Sequence, residues 1–280
     1  MDKLAILAGG GLLPQLIVNE RTRHEQETFI VAFKGFTDSE WVASHPHEWV
    51  RLGQLGKTMK TLRKQGITRI VFAGHVRRPA WNQIRPDLQG LKLLWKLSRQ
   101  KLGDDSLLRQ LAAVFQKQGI ELIGADEILP QCVMPEGSLT DEVPSDKQWG
   151  DIEYAFNLLT EWAKLDQGQS IVVQNGLILG IEAIEGTDEL IKRCGQYKRP
   201  GPGPILVKIK KPQQDSRLDL PTIGEQTILN AIEAGFSGIA VQEKQALFLE
   251  PANSIEMANK HKIFITGFNR ASWPAKPYLL

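Results

Sequence analysis

The chain has 280 residues and a net charge of +2, from 34 basic and 32 acidic side chains. This near balance argues against a nucleic-acid-binding protein with an extended basic face. The length suffices for a large hydrophobic core and predicts two domains. No segment approaches the ~20 apolar residues of a membrane-spanning helix, and the N-terminal apolar run is too short for a signal peptide.

The cysteine content predicts an intracellular protein. Cys132 and Cys194 are the two cysteines, and their spacing matches neither a CxxC metal site nor a disulfide framework. We therefore expect reduced thiols and a soluble protein of the cytoplasm.

The first half of the chain has the pattern of a Rossmann-like α/β domain with a mainly parallel sheet. A buried-strand pattern at Lys3–Leu7 leads through Gly9, Gly10 and Gly11 into an amphipathic run, the order in which doubly wound domains begin. Further strands are predicted at Thr28–Phe33, Arg69–Ala73 and Ile120–Ile123, and helices at Leu12–Arg23, Leu55–Gln65, Leu88–Lys101 and Leu107–Lys117.

The glycine turn after the first strand has two open interpretations. A dinucleotide-binding GxGxxG motif would need a third glycine where the chain has Pro14, and an acidic residue near Lys34. The turn therefore fits either a tight strand-to-helix connection or a contact with a phosphate or sugar. A nucleotide-dependent oxidoreductase is the weaker alternative function.

A second candidate site follows the strand Arg69–Ala73. Gly74, His75, Arg77 and Arg78 come at the carboxyl end of this strand, where open α/β sheets bind ligands. Guanidinium groups offer paired donors to phosphate, so the two arginines are candidate phosphate ligands. His75 fits a structural hydrogen-bonding role better than a catalytic one.

The helix predicted at Leu88–Lys101 carries apolar residues together with Lys92 and Lys96. We expect it to pack on the core, although such a basic amphipathic face also fits contact with a membrane. Asp105 is the expected N-cap of the next helix, which leaves Asp104 unexplained by structure.

Residues 131–147 combine prolines with acidic and small residues, which predicts an interdomain linker. The N-terminal domain is then 1–130, and the C-terminal catalytic domain is 148–280. The second domain is predicted to be mixed α/β, and its Asn175-Gly176 dipeptide predicts a hairpin turn. Its predicted helices are Trp149–Leu165, Leu190–Cys194, Ile223–Ala234 and Ala252–Lys260, and its strands include Ser170–Gln174, Leu177–Ile184, Gly238–Val241, Leu247–Leu249 and Ile263–Thr266.

The stretch Pro204–Gly224 contains the residue that we consider first for chemistry, Asp219. Alternating apolar residues over Ile205–Ile209 predict a half-buried strand. Thr222 and Glu225 have the spacing of a capping box and predict the start of a helix. Asp219 precedes this helix start.

Asp219 has two interpretations. With Lys208 and Arg217 near it in the sequence, it fits the binding of an anion, either directly or through a metal. It equally fits a structural role, in which it complements the dipole of the following helix and pairs with Arg217. Lys210 and Lys211 are expected to be solvated.

More carboxylates precede the helix Leu190–Cys194. Stabilisation of the helix dipole explains Asp188 and Glu189 better than it explains Glu185. If the two domains face each other across the linker, these carboxylates and the arginines of the first domain form a cleft. Such a cleft suits phosphoryl chemistry, because Mg²⁺ takes one or two carboxylates and shares its other positions with phosphates and water.

Several motifs together resemble the LpxI family, the UDP-2,3-diacylglucosamine pyrophosphatases of lipid A synthesis. Each motif is weak alone, but the combination is specific and covers nearly the whole chain in order. The motifs are LAGGGLLP (Leu7–Pro14), FAGHVRRP (Phe72–Pro79), KLGDDSLLR (Lys101–Arg109), GADEILP (Gly124–Pro130), QNGLILGIEAIEGTDELI (Gln174–Ile191) and SRLDLPTIG (Ser216–Gly224).

The resemblance implies two domains with the active site between them. It implies Mg²⁺-dependent hydrolysis of UDP-2,3-diacylglucosamine to UMP and 2,3-diacylglucosamine 1-phosphate (lipid X), with water attacking the sugar-side phosphorus. It also implies transient contact with the inner membrane surface, and it is compatible with a homodimer. The family's essential aspartate matches Asp219.

These observations give a hypothesis for the site. Asp219 is the catalytic residue, and together with Glu185 or Asp188 it holds Mg²⁺. A non-catalytic nucleotide-sugar or lipid-binding module is the alternative of a different class. The candidate substrate-binding residues are Gly10, Gly11, Gly74, Arg77, Arg78, Asp104, Thr187, Lys208 and Thr222.

Overall fold

The structure, a computed structural model, describes residues 3–76, 84–97 and 104–270. The chain forms two compact units. The first unit comprises Met1–Pro130 together with Asp215–Asp219, and the second comprises Gln131–Gln214 and Leu220–Leu280.

The first unit is built on a five-stranded parallel sheet. Its strands are β1 (Leu4–Ala8), β2 (Thr28–Phe33), β3 (His47–Val50), β4 (Arg69–Ala73) and β5 (Glu121–Leu122). They are ordered β3-β2-β1-β4-β5, so the direction of winding reverses between β1 and β4. The central strand β1 is buried along its whole length, as expected of a parallel strand covered on both faces. The predicted Rossmann-like parallel sheet is confirmed.

The helices of the first unit correct one prediction. They are α1 (Leu13–Arg23), α2 (Ser39–Ala43), α3 (Leu55–Lys64), α4 (Leu88–Leu97), α5 (Asp104–Gln116) and α6 (Ala125–Ile128). Because α5 begins at Asp104, Asp105 lies inside this helix and is not its N-cap. Leu218, from the short returning segment, packs in the hydrophobic core of this unit.

The second unit contains a six-stranded mixed sheet and a separate two-stranded sheet. Its strands are β6 (Gly137–Ser138), β7 (Ser170–Gln174), β8 (Leu177–Ile181), β9 (Ile205–Lys208), β10 (Thr222–Ile223), β11 (Gly238–Gln242), β12 (Leu247–Phe248) and β13 (Phe264–Phe268). The sheet order is β6-β13-β11-β9-β7-β8, and β10 pairs with β12. The strands β9, β11 and β13 are parallel, whereas β6, β7 and β8 pair antiparallel. The predicted mixed α/β fold is confirmed.

Helices cover both faces of this second sheet. They are α7 (Asp146–Ala163), α8 (Thr187–Gly195), α9 (Glu225–Glu233) and α10 (Pro251–Lys260). Leu206 of β9 packs in a core with residues of α8 and α9, and its neighbour Val207 packs in a core with residues of α7. The prediction that this strand is half-buried is therefore wrong, since both of its faces lie under helices.

Residues 131–147, predicted as a linker, contribute to the packing of the second unit. Met134 is completely buried, and β6 pairs with β13. The glycine Gly267 of β13 lies so close to the Pro135 carbonyl that a β-carbon there would overlap with it.

The Asn175-Gly176 hairpin is confirmed. Both residues have positive φ angles, 52° and 75°, as the preferred two-residue hairpin turn requires. The Asp151 carboxylate of α7 accepts hydrogen bonds from the Asn175 amide (2.8 Å) and the Gly176 amide (2.6 Å). A buried carboxylate thus fixes the turn to the helix.

Over the ranges that the structure describes, no helix is both long and apolar enough to span a membrane.

Candidate functional site

A buried lysine marks the first candidate site. Lys208 ends β9 and is only 4% exposed. Its Nζ donates hydrogen bonds to the Thr187 Oγ1 (3.0 Å) and to the Thr222 carbonyl (2.9 Å). A buried ammonium is unfavourable unless hydrogen bonds and charge compensate it. The fold therefore brings three predicted substrate-binding residues together.

A buried carboxylate completes this group. Glu182 is 7% exposed; its Oε1 accepts from the Thr187 hydroxyl (3.3 Å) and its Oε2 from the Gln169 amide (3.1 Å). The Thr187 hydroxyl also lies 3.1 Å from the Ser170 Oγ. One hydroxyl thus links the ammonium of Lys208 to the carboxylate of Glu182. We call Lys208, Thr187, Thr222, Glu182 and Ser170 the Lys208 cluster.

Strand register and a helix start place these side chains together. Ser170 lies directly opposite Lys208 in the antiparallel pair of β7 and β9. The Ser170 carbonyl accepts from the Glu182 amide at 2.9 Å, which holds Glu182 beside it. Gly186, with φ 83° and ψ 168°, precedes Thr187, and such a conformation is essentially restricted to glycine.

Sequence reasoning missed Glu182 and Ser170. Glu182 lies one residue beyond the end of β8, inside a stretch that was predicted to continue as strand to Ile184. A single carboxylate within the apolar run from Leu177 to Ile184 was the available signal. Ser170, as the first residue of its strand, gave no comparable signal.

The role predicted for Thr222 needs correction. Helix α9 begins at Glu225, its N-cap is Gly224, and the cap makes no side-chain hydrogen bond. Thr222 instead belongs to β10, where it pairs with Leu247, and its hydroxyl donates to the Leu220 carbonyl at 3.0 Å. The capping-box prediction is wrong because a long-range strand pair overrides the local pattern. Thr222 contributes its carbonyl to the Lys208 cluster.

Asp219 is an exposed residue at the end of the segment Asp215–Asp219 of the first unit. The guanidinium of Arg217 donates to the Asp215 carboxylate at 3.0 and 2.7 Å, and these bonds raise the pKa of Arg217. Strand β10 separates Asp219 from the start of α9, whereas a helix dipole acts within about one turn. The dipole role predicted for Asp219 thus loses support.

The other predicted metal ligands differ in their surroundings. The Glu185 carboxylate accepts from the Arg193 guanidinium (2.7 Å) and the Ala183 amide (3.1 Å). Burial raises the pKa of Glu185, but hydrogen bonds from its own backbone amide, Arg193 and Ala183 outweigh that effect and lower the pKa overall. Asp188 is exposed in the first turn of α8.

These carboxylates fit magnesium unequally. No group of three or more His, Cys, Asp or Glu side chains suited to a metal occurs within the described part of the chain. Mg²⁺ needs only one or two protein carboxylates when phosphates and waters complete its shell. The pairing of Glu185 with Arg193 makes its carboxylate a weaker candidate ligand for such an ion.

The predicted glycines of the first unit come together at the switch between β1 and β4. The amide of Gly10 donates to the His75 carbonyl and the His75 amide donates back, both at 2.9 Å. Gly11 and Gly74 have φ angles of 90° and 85°, and a β-carbon on Gly74 would overlap with the Gly10 carbonyl. The carboxyl edge of the sheet at such a switch is where ligands bind in this class of fold. Both bonds of His75 are made by its backbone, so the structural role of its side chain stays a prediction.

The structure describes some of the remaining predicted site residues but not others. Arg77 and Arg78 lie outside the described residues, and Asp104 is the first residue of α5. Lys211, expected to be solvated, is 7% exposed and pairs with Asp166 at 2.6 Å. That expectation is wrong for Lys211.

Comparison with known proteins identifies the family. The profile of the LpxI N-terminal domain matches residues 3–132, and that of the LpxI C-terminal domain matches residues 135–266. The chain is 34% identical over 281 aligned positions to the UDP-2,3-diacylglucosamine pyrophosphatase LpxI of Caulobacter vibrioides. This alignment covers 98% of this chain and 100% of that relative. The chain belongs to the LpxI family.

Proposed function

We propose that this protein hydrolyses the pyrophosphate bond of UDP-2,3-diacylglucosamine in lipid A biosynthesis. The products are UMP and 2,3-diacylglucosamine 1-phosphate (lipid X). The observation that carries the proposal is the family match along nearly the whole chain, together with the 34% identity to a pyrophosphatase of that name. The Lys208 cluster supports it, because a fixed ammonium suits a diphosphate.

The reaction assigns separate roles to two side chains. Water attacks the sugar-side phosphorus, the bond from that phosphorus to the bridging oxygen breaks, and UMP leaves with the bridging oxygen. Asp219 accepts a hydrogen bond from the attacking water and receives the proton that the water loses. Lys208 offsets the negative charge on the phosphoryl oxygens.

Asp219 and Thr222 are near neighbours in the sequence, with only Leu220 and Pro221 between them. The Thr222 carbonyl accepts a hydrogen bond from Lys208. This nearness in the sequence supports our assignment of Asp219 and Lys208 to the same reaction.

We propose Mg²⁺ as the cofactor, with Asp219 as one ligand and Asp188 or Glu185 as a second. When bound, the ion polarises the phosphoryl oxygens of the substrate. We expect EDTA to abolish turnover and added Mg²⁺ to restore it, measured as UMP release from the purified protein. Turnover that is unchanged after exhaustive EDTA treatment contradicts this cofactor.

The decisive variant for the proposed function is Asp219→Ala. Loss of the residue that orients water is expected to lower kcat by well over tenfold, which corresponds to more than ~1.4 kcal/mol of barrier. Asp141→Ala, at an exposed aspartate of the second unit, is the control and should keep wild-type turnover. Turnover within about tenfold of wild type would remove Asp219 from the mechanism.

A ligand that copurifies with the wild-type protein separates hydrolase from binding module. Mass spectrometry that finds lipid X supports the hydrolase, whereas intact UDP-2,3-diacylglucosamine supports the non-catalytic module.

We also propose transient contact with the inner membrane surface, because the proposed substrate carries acyl chains. From the family resemblance, we propose that the protein forms a homodimer.

A further inference from the structure

Helix α4 has an inner face that is already occupied. Gly90 is buried, and a β-carbon there would overlap with the Gly53 carbonyl. Leu93 packs against the hydrophobic core of the first unit. At the start of the helix, the Asp87 carboxylate accepts from the Gly90 amide and the Lys57 amide, each at 2.9 Å. These contacts fix which side of α4 faces outward.

The outer face of α4 is apolar and exposed. Leu88 is 81% exposed, Leu91 is 55% exposed and Trp95 is 61% exposed. Residues at these spacings share one side of a helix. A soluble protein seldom displays such a group of large apolar side chains without a binding role, and the inner contacts show that core packing does not use them.

We call Leu88, Leu91 and Trp95 the apolar stripe of α4. The charged side chains around this stripe are basic. Lys92 is exposed on the same outer side, one helical turn from Leu88, and exposed Arg85 precedes the helix. The helix sequence LQGLKLLWKL contains two lysines and no acidic residue, and Asp87 is the carboxylate at its start. Tryptophan and leucine beside lysine on one helix face are typical of helices that lie in the headgroup region of a bilayer, where Lys stems extend toward the phosphates.

We propose that Leu88, Leu91, Trp95 and Lys92 form the surface by which this protein lies on an anionic phospholipid bilayer. This proposal rests on the proposed function, because a substrate with acyl chains would be found in such a bilayer. Its physical basis is that a helix face with apolar and basic side chains, and with no acidic residue in the helix, is complementary to anionic headgroups. The helix lies in the interface and does not span it.

The test is co-sedimentation of the full-length protein with vesicles that contain no substrate. Wild type is expected to bind vesicles of phosphatidylethanolamine and phosphatidylglycerol, and to bind phosphatidylcholine vesicles much less. The double variant Leu91→Gln/Trp95→Gln should lower the partition coefficient by about tenfold or more. Lys92→Glu should lower it at least ~5-fold at low salt, because it reverses one charge at the surface.

Leu165→Gln, at a 64% exposed leucine of the second unit, is the matched control and should bind vesicles like wild type. Equal thermal unfolding of all variants excludes misfolding, and Lys92→Glu keeps the test available if the double variant is unstable. Failure of wild type to bind anionic vesicles, or full binding by both α4 variants, overturns the proposal. So does light scattering that shows a wild-type dimer and a monomeric double variant, because the stripe would then join two copies.

Turnover measured in detergent micelles separates this proposal from the proposed function. The α4 variants should hydrolyse micellar substrate at the wild-type rate, since none of the substituted residues belongs to the Lys208 cluster. Vesicle binding without micellar turnover would refute the pyrophosphatase and leave the membrane surface supported. Micellar turnover without vesicle binding would do the reverse.

Discussion

At the scale of single residues, the Lys208 cluster buries a charged amine at the end of β9, a strand that pairs parallel with β11 and antiparallel with β7. The family motifs contain Thr187 and Thr222, and Lys208 was singled out as a basic residue near Asp219 in the sequence, but the sequence did not predict the contacts among the three. Alternation along β9 predicts one solvated face, which would expose Lys208; in the structure, helices cover both faces. Glu182 escaped prediction because its burial depends on where β8 ends and on the register of β7.

Replacement of Lys208 by Met tests this cluster. Loss of a preorganised cation should lower kcat/KM about 100-fold or more, measured as UMP release. Because the substitution leaves the Thr222 carbonyl and the buried Glu182 carboxylate without this ammonium, we also expect the free energy of unfolding to fall by about 3 kcal/mol. Lys244→Met, at a 73% exposed lysine, is the control. Wild-type kcat/KM in a folded Lys208→Met protein would show that the ammonium does not act on substrate.

At the scale of elements, local sequence patterns predicted the strands and helices well wherever tertiary contacts favoured the same structure. The strands β2, β4 and β7 were predicted with their observed bounds, because each is a compact apolar run. The short strand β6 was not predicted, since two residues of pairing with β13 leave no pattern in the sequence. Thr222 shows the opposite case: the local sequence pattern of a capping box is present, but Thr222 pairs in a strand instead.

The hairpin between β7 and β8 gives a stability prediction. Asp151→Ala removes both hydrogen bonds to the turn amides and leaves those amides without this carboxylate. We expect the free energy of unfolding to fall by about 1–3 kcal/mol, measured by urea denaturation. Glu161→Ala changes an exposed glutamate on the same helix and should shift it by less than ~0.5 kcal/mol. Equal stability of both variants would show that the turn does not depend on Asp151.

At the scale of the whole molecule, length and alternation of strands and helices predicted two α/β domains. What they did not reveal is that the short segment Asp215–Asp219 belongs to the first unit. Composition and periodicity report on neighbours in the sequence, whereas this assignment depends on Leu218 entering a core formed by residues more than 90 positions earlier.

Both thiols belong to the second unit, which gives a global prediction. Cys132 and Cys194 are buried thiols that are not joined in a disulfide, and burial raises the pKa of Cys194. Since the thiolate is the reactive form, native protein should react very slowly with Ellman's reagent. Reaction of two thiols per chain should appear together with the urea unfolding transition of the second unit. Rapid labelling in native buffer would mean that this unit opens readily without denaturant.

The returning segment also has a consequence for the order of folding during synthesis. Domains of a nascent chain usually fold from the N-terminus as they leave the ribosome. Here the first 130 residues emerge early, but the core that they build still lacks Leu218. Its completion waits until most of the second unit has been translated, so the two units cannot mature strictly one after the other.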